Sequence, residues 1–543
     1  MTKHSAWRWS GVCCGLLVAL CAAIGQPACK RRPAGQAVTK SVAGERYVNF
    51  HMSAEPEYID PGLATGIREH QIVMALFEGL VEHDPKDGSP IPAVAERWEV
   101  TPDGRTYTFF LRNNAKWSDG HPVTANDFVY SWERVLNPKT ASQYAFALFP
   151  ILNAEEYNTG KLTDPDKLGF KATSDLTVQV TLKNPTPYFL HLSSLHSYRP
   201  VPRWAVEQHG TNWTRPEHIV TNGPFRLASW VPHKELLAIK NPTYWDAANV
   251  KSPGIRFIPI DDRETALKMY ESGQLDLAWE VPTTKIQMLM GRPDLVKGPQ
   301  LATYFLWVNT TKPPLNDSRV RRALALAIDR KVLSENYLQG QVLPWSSMVP
   351  TGLPGYMPAP GPDFNPTEAK RLLAEAGFAD PSAFPPITFS YNTDERNKIA
   401  AEVVQQMWQS HLGITVNLLS AEWKSYIKEL QQKNYQIGRM MWVGDYPDPN
   451  TFLEILTSAS PTNSSGWANP KFDGLLQAAA AEVESHKRLE SLRQAEALLL
   501  DELPVIPLWT SQKEMLVKPN VRGFYHNLQD VHPAKWIFIE ESR

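Results

Sequence analysis

"ITFSYNTDERNKIAAEVVQQMWQSHLGITVNLL", Ile387 to Leu419, decides the fold class. "ITFSYN" reads as a strand, "KIAAEVVQQMWQSHLG" as a helix and "ITVNLL" as a second strand, which makes a β–α–β unit. The alternation continues on both sides. Downstream, "YQIGRMMWVG" is a strand and "NTFLEILT" a helix behind it. Upstream, "TEAKRLLAEAGF" is a helix ending at Gly377, where glycine relieves the left-handed turn that closes many helices. "DSRVRRALALAIDRKVL" is another, with Asp317 as its cap and Val320, Ala323, Leu324, Ala327 and Ile328 on one face. After about Leu301 the chain is of the α/β class.

The first half is richer in strands and turns. "WEVTPDGRTYTFFLRNNAKW" reads as a hairpin turned at Pro102, Asp103 and Gly104, with Tyr107, Phe109 and Leu111 on one face. "HPVTANDFVYSWERVL" starts a helix at Thr124 with Asp127 three residues on, and Phe128, Trp132 and Val135 form its buried stripe. "LTVQVTL" is a strand with Leu176, Val178, Val180 and Leu182 aligned, and "TNGPFRLASW" with "KELLAIKNPTYW" is a further β pair. A mixed α/β chain of at least two lobes fits a length of 543 residues.

Residues 1–29 read as an export signal. Lys3, His4 and Arg8 precede "GVCCGLLVALCAAIG", an apolar run too short to span a bilayer comfortably. Cys29, in "QPAC", is open to two readings, a lipidation point or the end of a simply cleaved leader. Gln26 and Pro27 stand where aliphatic and small residues precede a lipidated cysteine. Residues 30–45 read as a linker. All four cysteines, Cys13, Cys14, Cys21 and Cys29, lie in the leader, so the mature chain is expected to have no internal disulfide. Its expected place is the periplasm or cell envelope. A net charge of −2 supplies no basic field for nucleic acid or an anionic membrane surface.

Enzyme motifs are missing. There is no G-x-S-x-G elbow, no H-E-x-x-H, no phosphate-binding G-x-x-x-x-G-K-[ST] and no His or Cys cluster at zinc spacing. "SYIK", Ser425 to Lys428, matches S-x-x-K without the K-T-G that accompanies it in serine acyl-transfer enzymes. Carboxylates are plentiful, but nothing pairs two of them as a glycosidase requires. No catalytic residue, metal site or cofactor is assigned.

The segment "WVGDYPDPNTF" holds two aspartates in a stretch stiffened by Pro447 and Pro449. Asp448 and Asn450 stand where a cap is needed for the following helix. Calcium is a poor fit, because the loop lacks the Asp-x-Asp-x-Asp-Gly order and the closing Glu. Asp445 is too far upstream to be that cap, and its plain alternative is an exposed turn carboxylate. Arg439 alters the balance. Residues of equal parity in a strand face one side, so Arg439, Met441, Val443 and Asp445 share a face. Six residues span roughly 20 Å, and the inward reach of both side chains shortens that to about three or four extended residues. A zwitterionic peptide lying along this strand would find an anion for its ammonium and a cation for its carboxylate, and its backbone would pair with a strand.

Several stretches now point the same way. "AKWSDGHPVTANDFVYSWERV", "LNPKTASQYA", "VTNGPF", "PTYW", "KPPLNDSRVRRALALAIDR", "YNTDERN", "SAEWKSY" and "WVGDYPDP" occur in this order, and together they resemble the extracellular solute-binding proteins that serve peptide and nickel ABC transporters, in their oligopeptide-binding branch. The resemblance covers essentially everything after the leader. It implies a two-lobed clam with mixed sheets, discontinuous lobes and an extra third domain. Residues 46–77, 203–301 and 512–543 would form lobe I, residues 78–202 the extra domain II and residues 302–511 lobe III.

The resemblance also implies roles. Asp445 pairs with the peptide's α-ammonium and Arg439 with the carboxylate of a tripeptide. Trp442, Trp423, Tyr144 and Asn392 line side-chain pockets. Ile67, in "ATGIRE", belongs to a strand that hydrogen-bonds the peptide from the other lobe. Two departures stand out. Asn397 replaces the family's histidine for longer peptides and cannot supply a positive charge, so either Arg396 or Lys398 takes over or the preference for four-residue peptides weakens. The family's cysteine pair near the site is missing, with Val443 at one position. The expected partners are short peptides of about two to five residues and the permease subunits of an inner-membrane ABC transporter, with the protein itself a monomer. Rival expectations are a binder of dipeptide, murein peptide, haem or nickel in the same fold, a secreted hydrolase, and an added sensing or adhesive role at the surface. Metal chelation would want a histidine near the cleft, and "YNTDERN" offers none.

Overall fold

The computed structural model describes residues 46–541. The expected leader, linker and cysteines, with residues 542–543, lie outside the described residues. The β–α–β unit is present. Strands Ile387–Asn392 and Val416–Ala421 pair in parallel and are joined by helix Glu395–Leu412, which Asp394 caps by accepting from the Asn397 N–H at 3.1 Å. Ala400, Val404 and Trp408 form the buried stripe of that helix.

This unit forms one end of an eleven-stranded mixed sheet among the described residues. From Val416–Ala421 the path runs through Ile387–Asn392 and Ile437–Val443 to two long antiparallel strands, Leu295–Val308 and Val505–Val517. It continues through Leu277–Ala278, Val48–Met52, Gly254–Pro259, Glu235–Lys240 and Phe225–Val231, while Val342–Pro344 pairs off the path with Val505–Val517. The two long strands are the shared spine. Their register shifts between Pro299 and Thr303, opposite Thr510 and Gln512.

Separate cores lie to either side of the shift. Phe50, Ile255 and Phe257 belong to one, and Leu306, Phe389 and Trp408 to another. A third lies under Phe305, Trp307 and Leu499. An antiparallel four-stranded sheet, in the order Ala95–Val100, Thr106–Leu111, Thr177–Thr181, Phe170–Ser174, adds to the first core. The expected hairpin is its first pair, with Gly104 at φ +65° in the turn and Tyr107, Phe109 and Leu111 buried. Helix Ala125–Leu136 packs on it through Phe128, Trp132 and Val135, and the Thr124 N–H donates to the Asp127 carboxylate at 2.7 Å. Leu176 departs from the reading. It lies in the turn before Thr177–Thr181 and is exposed, because the ladder starts one residue later.

Candidate functional site

Strand Ile437–Val443 ends where Gly444 donates its N–H to the Leu301 carbonyl at 2.8 Å. The loop beyond it is held by more than its prolines. Asp448 makes a bidentate ion pair with Arg488, both contacts at 2.8 Å, and accepts from the Asn450 N–H at 3.0 Å. It is therefore a buried anchor rather than the expected cap: the N-cap of helix Asn450–Leu453 is Pro449, which has no side-chain cap, and Asn450 is the first helical residue. Tyr446 is buried and stacks on Tyr188, with ring centres 4.0 Å apart and planes 6° from parallel. The Asn450 side-chain amide donates to the Tyr446 hydroxyl at 3.1 Å and to Glu454 at 2.8 Å.

Asp445 sits inside this frame. Its N–H donates to Thr451 Oγ1 at 3.3 Å. Its carboxylate has no hydrogen bond or ion pair among the described residues and lines a cavity of about 350 Å³. Ile67, Tyr144, Trp442 and Val443 line the same cavity. Burial alone pushes the carboxyl up to about 6. At neutral pH it is a buried anion with no cation among the described residues to balance it. Tyr144 is pushed up too, first by burial and then by the charge of Asp445.

Arg439 occupies the other end of the strand, opposite Leu306 in the ladder. Its guanidinium lies 5.7 Å from the ring centres of both Tyr304 and Trp423, and its Nε has no hydrogen-bond partner among the described residues. The strand thus carries at Arg439 a cation set between aromatic rings, and the loop just beyond its other end carries a carboxylate with no cation among the described residues.

Over residues 89–464 the chain matches the model for bacterial extracellular solute-binding proteins, family 5. The chain belongs to that family. It is 36% identical over 549 residues to the periplasmic murein peptide-binding protein MppA of Escherichia coli, covering 99% of each chain. It is 37% identical over 526 residues to the periplasmic oligopeptide-binding protein OppA of Salmonella typhimurium, covering 94% of this chain and 95% of that one. The solved structure of the Escherichia coli murein tripeptide binding protein MppA superposes with a TM-score of 0.80 at 36% identity, over 92% of this chain and 99% of that one. The two-lobed α/β architecture of these family 5 proteins is the one described above.

Within this family 5 protein, two expected residues are placed differently from the reading. Ile67 lines the cavity but does not lie in a strand. It is the first residue of helix Ile67–Leu76, after Gly66 in an extended conformation. The chain turns helical here because Ile72, Val73, Ala75 and Leu76 are all fully buried and Glu69 reaches back to the Glu57 N–H at 3.1 Å. The backbone N–H of Ile67 is one that the helix itself leaves unpaired. Asn397 faces inward. It accepts from the Tyr304 hydroxyl at 3.2 Å and donates to the Asn392 side chain at 3.1 Å. That network ties Asn392 and Asn397 to each other. Neither charged neighbour is free, since Arg396 donates to Gln341 at 2.9 Å and Lys398 lies 3.8 Å from Glu402. Trp423 is 47% exposed at the start of helix Trp423–Gln431, beside Arg439.

Other cavity residues escaped the sequence reading. His70, His83 and His196 line it from the first half of the chain, and Gln529, Asp530 and Val531 from the last segment. Histidines do stand at the cavity, although "YNTDERN" offers none. Among the described residues no group of three or more His, Cys, Asp or Glu is arranged to hold a metal ion.

Proposed function

We propose that this family 5 protein is the extracytoplasmic receptor of an ABC importer, and that it grips short peptides by their charged ends while tolerating many side chains. The observation that carries this reading is the Asp445 carboxylate, inside a cavity and without a cation. A peptide α-ammonium supplies the missing charge. Arg439, with Tyr304 and Trp423 on its flanks, receives the C-terminal carboxylate. The unpaired Ile67 N–H donates to the peptide backbone, and Trp442, Tyr144, Trp423, Asn392 and Asn397 shape the surrounding pockets. Water in roomy pockets adapts to different side chains.

The register shift between Pro299 and Thr303 is the hinge in this reading, with lobe boundaries near residues 301/302 and 511/512. Closure buries the ligand and creates the surface that a membrane permease meets. The protein acts outside the cytoplasm, as a monomer and without a catalytic step, and Cys29 is its point of lipidation if it is anchored. Calorimetry with matched tripeptides tests the reading. Free-amine tripeptides bind, and their N-acetylated forms bind at least about a hundredfold more weakly, since a buried charge loses its partner. Equal affinity for both forms would overturn it.

A further inference from the structure

His70, from helix Ile67–Leu76, His83, from strand Val81–His83, and His196, from the short helical turn His196–Tyr198, meet on the wall of the cavity that holds Asp445. The His70 ring centre is 5.5 Å from that of His196 and 6.3 Å from that of His83, and the Tyr144 ring is 4.5 Å from His196. All three histidines are at least nine-tenths buried. His83 is saturated: Nδ1 donates to the Gly88 carbonyl at 3.2 Å, which leaves Nε2 to accept from Ser194 Oγ at 2.7 Å. Neither ring nitrogen of His70 or His196 has a hydrogen bond of normal geometry among the described residues. Buried polar groups left in this state are rare in folded proteins, and here the two rings that carry them line a ligand-sized cavity, so a small turn of each ring brings a covered nitrogen to the ligand.

We propose that His70 and His196, backed by His83, form a subsite for an acidic side chain on the first residue of the bound peptide. The proposal rests on the peptide reading above, since Asp445 is what places that first residue here.

A carboxylate only accepts hydrogen bonds, and each neutral imidazole offers one N–H. The groups facing the pair favour an anion. Arg199 stands behind all three histidines, and Glu82 balances it at 3.0 Å. Asp530, also at the cavity, is committed to Lys513 at 3.2 Å and His532 at 2.9 Å. Asp445 is committed to the ligand's ammonium. Burial keeps the histidines neutral without ligand, to about 4 for His83 and His196, although the Gly88 and Ala64 carbonyls pull the other way. A bound carboxylate reverses that preference. One imidazole takes a proton from solvent, and an imidazolium–carboxylate pair forms with no other bond made or broken.

The test is calorimetry on the full chain, stripped of co-purified ligand, with Glu-Ala-Ala, Gln-Ala-Ala and Leu-Ala-Ala between pH 5.5 and 8, in buffers of different ionisation enthalpy. The Glu-to-Gln affinity ratio cancels the titration of Asp445, which is common to both peptides. Near pH 6 the Glu peptide binds about tenfold more tightly than the Gln peptide, as charge-assisted hydrogen bonds do over neutral ones. It takes up close to one proton more than the Gln peptide does, since the proton released by Asp445 is common to both, and its advantage shrinks as the pH rises to 8. In a His70→Gln, His196→Gln double variant the ratio falls towards one. If that variant does not melt cooperatively, the wild-type pH series and proton uptake decide alone. A Glu-to-Gln ratio near one with no more proton uptake for the Glu than for the Gln peptide overturns the subsite but leaves the peptide reading intact. Failure of all three peptides to bind overturns the peptide reading itself.

Discussion

Asp445 and Asp448 lie three residues apart in one loop, and the fold treats them in opposite ways. Asp448 has its cation built in, with Arg488 clasping both oxygens at 2.8 Å. Asp445 has none, and burial alone pushes it up to about 6. A buried charge without a partner is a stability cost that folding selects against unless something else uses it. The saturated aspartate fixes the loop, and the bare one is presented by it. On the function proposed above, charge is stored at Asp445 for a ligand and spent at Asp448 on the protein.

The largest expected effects separate the two aspartates by function. Asp445→Asn should cost peptide affinity roughly a thousandfold, because it removes one partner of a pair that closure desolvates. Arg488→Met should instead destabilise the protein by about 3–5 kcal/mol, because it leaves Asp448 buried and unpaired. Calorimetry and urea melts on both variants check this. The contrast breaks if Asp445→Asn destabilises the unliganded chain as much as Arg488→Met does.

A smaller effect comes from pH. The folded Asp445 carboxyl, at about 6, sits above the ordinary value of about 3.9 for an unfolded aspartate. The folded state therefore binds its proton more tightly. The stability this provides is fully present below about pH 4 and is lost as the pH rises through about 6. Relative to Asp445→Asn, the unliganded wild type should lose on the order of 2 kcal/mol across that window. Affinity for Leu-Ala-Ala runs the other way, climbing through the same window and levelling above it, because the ammonium needs the charged carboxylate. Glu454 sharpens the comparison. It is pushed up to about 7, by burial first and in part by the charge of Asp445, so peptide binding should relieve it as well. Melts and calorimetry from about pH 4 to 8 check both slopes, and parallel slopes would contradict the assignment.

The fold was legible where periodicity is local. The β–α–β unit, the hairpin around Gly104 and the caps at Asp317 and Thr124 all depend on residues a few positions apart. Asp445 and Arg439 were readable only as a candidate pair, from strand parity and the family resemblance; the strand ends at Val443, and Asp445 but not Arg439 lines the cavity. Arg488 was not, since it lies forty positions beyond the carboxylate it clasps. Nor were the histidines, which come from three segments and meet only in the tertiary structure. Helix Ile67–Leu76 gave no signal for His70, because it is buried nearly all round and has no distinct face.

Asn397 is the case where the sequence held a signal that went unused. Asn397, Ala400, Val404 and Trp408 fall at helical spacing on one stripe, and all four are buried. A side chain on that stripe turns towards the core. This makes the smallest prediction the most direct check of placement. Asn397→Ala strands the Tyr304 hydroxyl and the Asn392 side chain, which should cost about 1–3 kcal/mol of stability. The ratio of tripeptide to tetrapeptide affinity should stay within about twofold of wild type, because the group removed faces Tyr304 and Asn392 and makes no end contact with ligand. A large change in that ratio with little loss of stability would show that Asn397 turns outward when peptide binds. It would then act at the Arg439 end of the strand, and the division between charge kept for the ligand and polarity kept for the fold would have to be redrawn there.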